Sequence, residues 1–362
     1  MQTRKRGYNL AVAALGLGCT LLLGAGCAQP GSVTAAAQAG QTATPSAAPG
    51  ASAREQPSER LPEDGIHLET GSTIRDVVNH PAFAGFGRFI LPLDRGRYDD
   101  ATALENVASL LPYHSNIDPE AAVETINALI DAAASGAMTF HNFYTDAEKR
   151  ADPTKEATGL FFFHGEPGAP FAAISPGGGF SYVGSVHEGF PHALALSRMG
   201  YNAFVVQYRV GGGEQAAVED LAAALSYIFS NAATLAVGTE DYSVWGSSAG
   251  ARMAARIGSH GAAAYGGGDI PRPGTVVMAY TGHTDFTTSD PPTFAVVGDR
   301  DGIAGPAAMQ ARIDALRRAG IDVEFHVYPN VGHGFGLGSG TTAAGWLADA
   351  VRFWEEHMAA PA

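Results

Sequence analysis

Over its last two hundred residues the chain alternates two kinds of segment, and this alternation constrains its fold more than any other feature. Short runs rich in Val, Ile, Phe and Tyr occur at Phe171–Ile174, Asn202–Tyr208, Tyr242–Trp245, Thr275–Tyr280, Thr293–Val297 and Asp322–Tyr328. Between and after them lie longer segments with helical spacing, at Val186–Arg198, Val218–Phe229, Ala249–Ile257, Ala307–Arg318 and Thr342–His357. In Val218–Phe229, for example, Leu221, Leu225 and Ile228 fall on one helical face. Strands that take turns with helices of this length pair in parallel. The helices then cover both faces of the sheet, because neither face can be left wet. The expectation is an α/β chain with a mostly parallel central sheet and helices on both faces. In such sheets ligands bind outside the carboxyl ends of the strands.

Before this alternation, Met138–Tyr144 and Thr158–Phe163 read as two more strands, joined by a polar turn around Asp152-Pro153. Thr73–Val78 reads as a short helix capped by Ser72 or Thr73, and Asp118-Pro119-Glu120 opens a better one that ends near Gly136. The start of the chain has a different character. Arg4, Lys5 and Arg6 precede an apolar run from about Leu10 to Leu23 and then Gly24-Ala25-Gly26-Cys27, the layout of an export signal. The run is shorter than the roughly 20 residues of a spanning helix. The small residues before Cys27 resemble a bacterial lipobox, which makes Cys27 a candidate lipid-attachment site. Residues 28–60 are rich in Ala, Gly, Ser, Thr, Gln and Pro and read as a flexible, disordered tether. The expected organisation is a signal peptide at 1–27, a tether at 28–60, an N-terminal extension at 61–155 and a catalytic domain at 156–360. The expected location is the periplasm or cell surface, with membrane contact through the lipid anchor alone.

The only two cysteines, Cys19 and Cys27, lie in the leader, so the rest of the chain must be stabilised by its core without disulfides. The net charge of −14, with only 22 Lys and Arg, argues against nucleic acid and against a polybasic membrane contact. No phosphate-loop pattern and no His/Glu pair at metal-ligand spacing is present, so neither a cofactor nor a metal is expected.

Chemistry enters with Gly246-Ser247-Ser248-Ala249-Gly250, which follows an apolar strand and opens a helical segment. This G-x-S-x-G pattern is the sequence of a nucleophile elbow, where a serine sits on a sharp turn and larger flanking side chains would collide. In a chain with 46 glycines the pattern alone is weak. Its weight comes from partners in the required order. A serine hydroxyl needs a base, an acid that orients the base, and donors for the oxyanion. His333 lies on a glycine-rich loop after the last strand and before the last helix, and is the candidate base. His326 lies inside a strand and reads as packed there. Asp301 lies just past the strand at Thr293–Val297 and is favoured as the acid, with Asp299 as its competitor. Gly178 and Gly179, in Ser175-Pro176-Gly177-Gly178-Gly179-Phe180, are the candidate oxyanion donors, completed by the N–H of Ala249. Tyr182, His283 and Asp285 lie on loops expected to face the substrate.

From about Phe161 to Met358 the chain resembles the α/β-hydrolase superfamily, and within it small bacterial esterases related to the hormone-sensitive lipase and acetyl-xylan esterase groups. The resemblance implies a Ser248, Asp301 and His333 triad, an acyl-enzyme, no cofactor, and a small-molecule or glycan ester as substrate. Two positions depart from the hormone-sensitive lipase pattern: Pro176 stands where that pattern has His before the glycines, and Ser247 where it often has an acidic residue before the serine. The rival readings are a peptidase of the prolyl-oligopeptidase type and a non-catalytic surface binding protein on a hydrolase scaffold. About 90 front residues are too few for the propeller such peptidases carry.

Overall fold

Every residue of the strands Gly159–Phe163 and Thr275–Ala279 is buried, so at these two strands neither face of the sheet meets solvent. The computed structural model describes residues 66–93 and 98–359. The expected signal peptide, its Cys27 and the tether lie outside the described residues. The described part begins with α1 (Ile74–Val78), which Thr73 caps in a reciprocal box with Asp76. Next comes α2 (Pro119–Ala134), where the Asp118 side chain accepts from the N–H groups of Glu120 and Ala121 and Pro119 opens the first turn. The buried apolar residues of α2, Ala122, Val123, Ile126, Leu129 and Ile130, recur at helical spacing. Each large aliphatic side chain among them contributes about 1.5–3 kcal/mol by leaving water.

The sheet has eight strands: β1 (Phe140–His141), β2 (Gly159–Phe163), β3 (Pro170–Ser175), β4 (Asn202–Gln207), β5 (Gly238–Ser247), β6 (Thr275–Ala279), β7 (Thr293–Gly298) and β8 (Val323–Tyr328). Their spatial order is β1-β2-β4-β3-β5-β6-β7-β8. β1 pairs antiparallel with β2, and β2 with β4; the remaining neighbours are parallel. The other helices are α3 (Asp146–Ala151), α4 (Phe190–Arg198), α5 (Gly213–Ser230), α6 (Ala232–Leu235), α7 (Ala249–His260), α8 (Pro306–Arg318) and α9 (Trp346–Glu356). This is the mostly parallel sheet with helices that the alternation demanded. None of the helices among the described residues is long and apolar enough to cross a membrane.

Three local expectations are corrected. The segment between β1 and β2 is not a simple polar turn. Thr145 and Glu148 form a capping box that starts α3, and Asp152 caps a further 3-10 turn at Pro153–Ala157. The helix expected from Val186 begins as a wide turn at Ser185–Gly189 and becomes α-helical only at Phe190. The closing helix starts at Trp346 rather than Thr342, because Gly345 at φ 95° turns the chain immediately before it.

The strand order positions the site. The chain passes from β3 to β4 on one side, then crosses back to place β5 on the other side of β3. The connections that leave the carboxyl ends of β3 and β5 therefore run to opposite sides and leave a crevice between them, the usual ligand position in an open α/β sheet. Ser175 pairs with Gly246 there, so the loop after β3 and the turn after β5 emerge side by side.

The extension at 66–155 packs onto the sheet edge through aromatic rings. Phe86 stacks on Phe140 at 4.6 Å, and Phe140 meets Phe161 of β2 edge-on at 5.0 Å. Tyr144 donates its hydroxyl to the buried Asp220 of α5 at 2.8 Å, and Asp220 also pairs with Arg209.

Candidate active site

Ser248 occupies the turn between β5 and α7 at φ 51° and ψ −112°, a backbone state that L residues adopt only under constraint. The constraint is visible on both sides. The Ser248 N–H donates to the Ala279 carbonyl at the end of β6 (2.9 Å), and α7 starts at the next residue. The flanking glycines are required by close approach. A Cβ on Gly246 would strike the Gly250 backbone, and one on Gly250 would strike the Ser175 carbonyl. The turn can be this tight only with both positions bare.

The side chains named from the sequence meet here. The Ser248 hydroxyl lies 2.9 Å from Nε2 of His333, and Nδ1 of His333 lies 2.7 Å from Oδ2 of Asp301. An ionised carboxylate can only accept, so Nδ1 carries the ring proton and Nε2 is left to accept from the serine O–H. Asp301 is fixed through its other oxygen, which accepts from the N–H groups of Ile303 (2.8 Å) and Ala304 (2.6 Å). Asp299, the competitor, turns away and accepts from the Asn330 N–H at 2.6 Å, shaping the loop that carries His333. The three residues come from the carboxyl ends of β5, β7 and β8.

A cavity of about 300 Å³ opens over Ser248, lined by Gly179, Phe180, Ala249, Arg252, Tyr280 and Thr281 among others. Its volume falls at the small end of ligand sites. Gly179 and Ala249 thus border the serine as expected. Gly178 is buried behind them, where a Cβ would strike the Tyr182 backbone; it shapes the loop without lining the cavity. Arg252 is paired with Glu214 at 3.0 Å, and Glu214 also binds Arg256.

Two substrate-facing expectations are corrected. Tyr182 is fully buried, with its hydroxyl against His114 Nδ1 (2.9 Å) and the Tyr113 N–H (3.2 Å). His283 is buried beneath the rim, and burial together with the nearby Arg312 pushes it down to about 4, so it stays neutral. Neither lines the cavity; loop position alone did not reveal which way the two side chains turn. Asp285 is exposed and lies 3.8 Å from His260.

Sequence reasoning missed the groups beneath the site. Glu188 has no exposed surface, yet it carries a carboxylate that accepts from the Gly177 N–H (2.6 Å), the Tyr280 hydroxyl (2.7 Å) and His114 Nε2 (3.1 Å). Burial raises its pKa, but His114, His187 and the Tyr280 hydroxyl outweigh this and hold it at about 2. The Tyr280 ring meets the His333 ring edge-on at 5.2 Å. A lone carboxylate between the glycine loop and α4 was the available signal. His114 gave none. Among the described residues no group of three or more His, Cys, Asp or Glu is placed to hold a metal ion.

Known proteins can now be set beside this geometry. Residues 174–290 match the BD-FAE family model, and residues 275–360 match the prolyl oligopeptidase family model. No curated protein matches the sequence. Among solved structures, an acetyl ester-xyloside bifunctional hydrolase from Caldicellulosiruptor lactoaceticus is 21% identical, with a TM-score of 0.52 over 60% of this chain and 95% of its own. MGS-M1, an alpha/beta hydrolase enzyme from a Medee basin deep-sea metagenome library, is 24% identical over 55% of this chain and 92% of its own, with a TM-score of 0.49. Esterase Est2 of Thermogutta terrifontis is 18% identical over 57% of this chain and 92% of its own, with a TM-score of 0.48.

Proposed function

The chain has the α/β-hydrolase fold, and on that premise we propose that it is a serine hydrolase that cleaves carboxylic esters through an acyl-enzyme. The observation that carries the reading is the unbroken chain of contacts from Ser248 through His333 to Asp301 on a strained elbow. In the proposed reaction the Ser248 oxygen attacks the ester carbonyl while its proton passes to His333 Nε2. Asp301 holds the imidazole and stabilises its positive charge. The N–H groups of Gly179 and Ala249 receive the negative oxygen of the tetrahedral intermediate, which is the larger electrostatic contribution. His333 then protonates the departing alcohol, and water attacks the acyl-serine by the reverse route to release the acid. No step calls for a cofactor.

The small cavity favours short acyl groups. The likeness to an acetyl ester-xyloside hydrolase supports acetylated carbohydrate as the first natural substrate class to test. The prolyl oligopeptidase family match over residues 275–360 favours a second reading, a peptidase built on the same residues.

A fluorophosphonate probe together with p-nitrophenyl acetate and a dipeptide p-nitroanilide separates these readings. Wild type should be labelled and should hydrolyse the ester, and Ser248→Ala should do neither while still folding. Undiminished ester turnover in Ser248→Ala would refute the assignment. Preference for the anilide would move it to the peptidase reading. A folded wild-type protein that is neither labelled nor active would leave the hydrolase scaffold without catalysis.

A further inference from the structure

Glu188 is a costly residue for the fold to keep. Taking a carboxylate out of water costs several kcal/mol even after relaxation, and an apolar side chain would fill the same space without that cost. Its partners show what the charge is used for. They come from three separate elements: Gly177 from the loop after β3, Tyr280 from the end of β6, and His114 from the extension that precedes α2.

Each partner supports a different part of the site. Gly177 begins the turn that carries Gly179, and the carboxylate occupies space that a Cβ on Gly177 would need; the Ser248 Cβ borders the same space. Tyr280 lines the cavity and lays its ring against His333. His114 is followed by Ser115, whose hydroxyl donates to the His333 carbonyl (2.7 Å) and whose N–H donates to the Gly334 carbonyl (3.0 Å). Tyr113, on the other side of His114, borders the space that a Cβ on Gly179 would fill. An unbroken run of hydrogen bonds passes through the cluster. The Tyr113 N–H donates to the Tyr182 oxygen, the Tyr182 hydroxyl meets His114 Nδ1, and His114 Nε2–H donates to Glu188.

We propose that Glu188, clamped by His114 of the N-terminal extension, is a positioning residue that aims the glycine-loop oxyanion donors and the His333 ring without touching substrate. This rests on the serine-hydrolase reading. It also makes the extension an integral part of the site rather than an accessory to it. Hydrogen bonds to an ionised acceptor are about twice as strong as neutral ones, so an isosteric neutral amide should loosen the loop while keeping its volume.

The test compares Glu188→Gln, His114→Gln and His114→Leu with wild type, by steady-state kinetics on p-nitrophenyl acetate and by amide hydrogen exchange over residues 176–184. Misaligned oxyanion donors should lower kcat in Glu188→Gln by about 10- to 100-fold while KM changes less than about threefold. Exchange in the glycine loop should rise. His114→Gln keeps an N–H donor and should stay near wild type, whereas His114→Leu should fall with Glu188→Gln. Wild-type kcat and wild-type exchange in Glu188→Gln would overturn the proposal, as would equal losses in the two His114 variants. If Glu188→Gln fails to fold, Tyr280→Phe, which removes one of the three donors, takes its place with the same expected kcat loss. Because exchange is read without turnover, an inactive wild type would sink the hydrolase reading while the loop measurement still decides whether Glu188 holds the loop.

Discussion

Replacing Ser248 by glycine should stabilise the protein relative to replacing it by alanine, although neither variant is expected to turn over substrate. Either substitution removes the hydroxyl and its contact with His333, so the difference isolates the backbone. At φ 51° and ψ −112° a residue with a Cβ is strained, and such outliers cost about 1–3 kcal/mol. Glycine removes most of that strain. It also gives the unfolded chain more freedom, which returns about 0.4–1 kcal/mol. The net expectation is that Ser248→Gly exceeds Ser248→Ala by about 1–2 kcal/mol. For a domain of this size that corresponds to about 2–3 °C in Tm. Guanidinium unfolding followed by tryptophan fluorescence measures it directly, since Trp245 lies on the strand that feeds the turn. Equal stability of the two variants, or a more stable alanine variant, would show that the elbow stores no strain and that the argument from its dihedral angles is wrong.

Three other outcomes are expected. Asp301→Asn should lower kcat by about 10³–10⁴-fold, because the amide favours the wrong imidazole tautomer, while Asp299→Asn should change it less than about threefold; equal losses in the pair would reverse the acid assignment. Gly250→Ala should destabilise by about 3 kcal/mol or prevent folding, because the new methyl meets the Ser175 backbone carbonyl, which cannot give way, whereas Gly71→Ala, with open space around it, should be neutral in the same denaturation assay. Burial pushes His141, His192 and His283 each down to about 4. An unfolded histidine titrates near 6.5, so between these values the unfolded state binds protons that the folded state does not, and stability is lost as pH falls through that window. For His192, the most deeply buried of them, the loss is about 2 kcal/mol at pH 5 relative to pH 7, and a denaturation midpoint that stays flat over this range would refute it.

The parts of the site that announced themselves in the sequence are those whose geometry requires particular residues locally. Gly246, Ser248 and Gly250 are fixed by one turn, and His333 and Asp301 by their places after strands, so a single strand reading was enough to bring them into order. Gly179 was legible for the same reason. Glu188, Tyr280 and His114 were not, because their meaning lies in contacts between elements far apart in the chain. Loop residues suffered most: Tyr182 and His283 sit where a substrate contact is plausible by position, yet both side chains turn inward. Helix starts failed where a cap competed with hydrophobic spacing, as at Thr145 and Glu148, whose box nucleates α3 in what reads as a turn.

The order in which the chain is made has a bearing on when it can act. Ser115, which braces the His333 loop, stands 218 residues before it, and Asp301 and His333 both follow Ser248. A nascent chain emerging from the ribosome therefore carries its nucleophile for 85 residues before the imidazole that contacts it has been added. On the proposed reading, the serine is an ordinary alcohol through that interval, because the base that would activate it is missing. Reactivity, on that reading, waits until the loop beyond the last strand meets a brace laid down near the beginning.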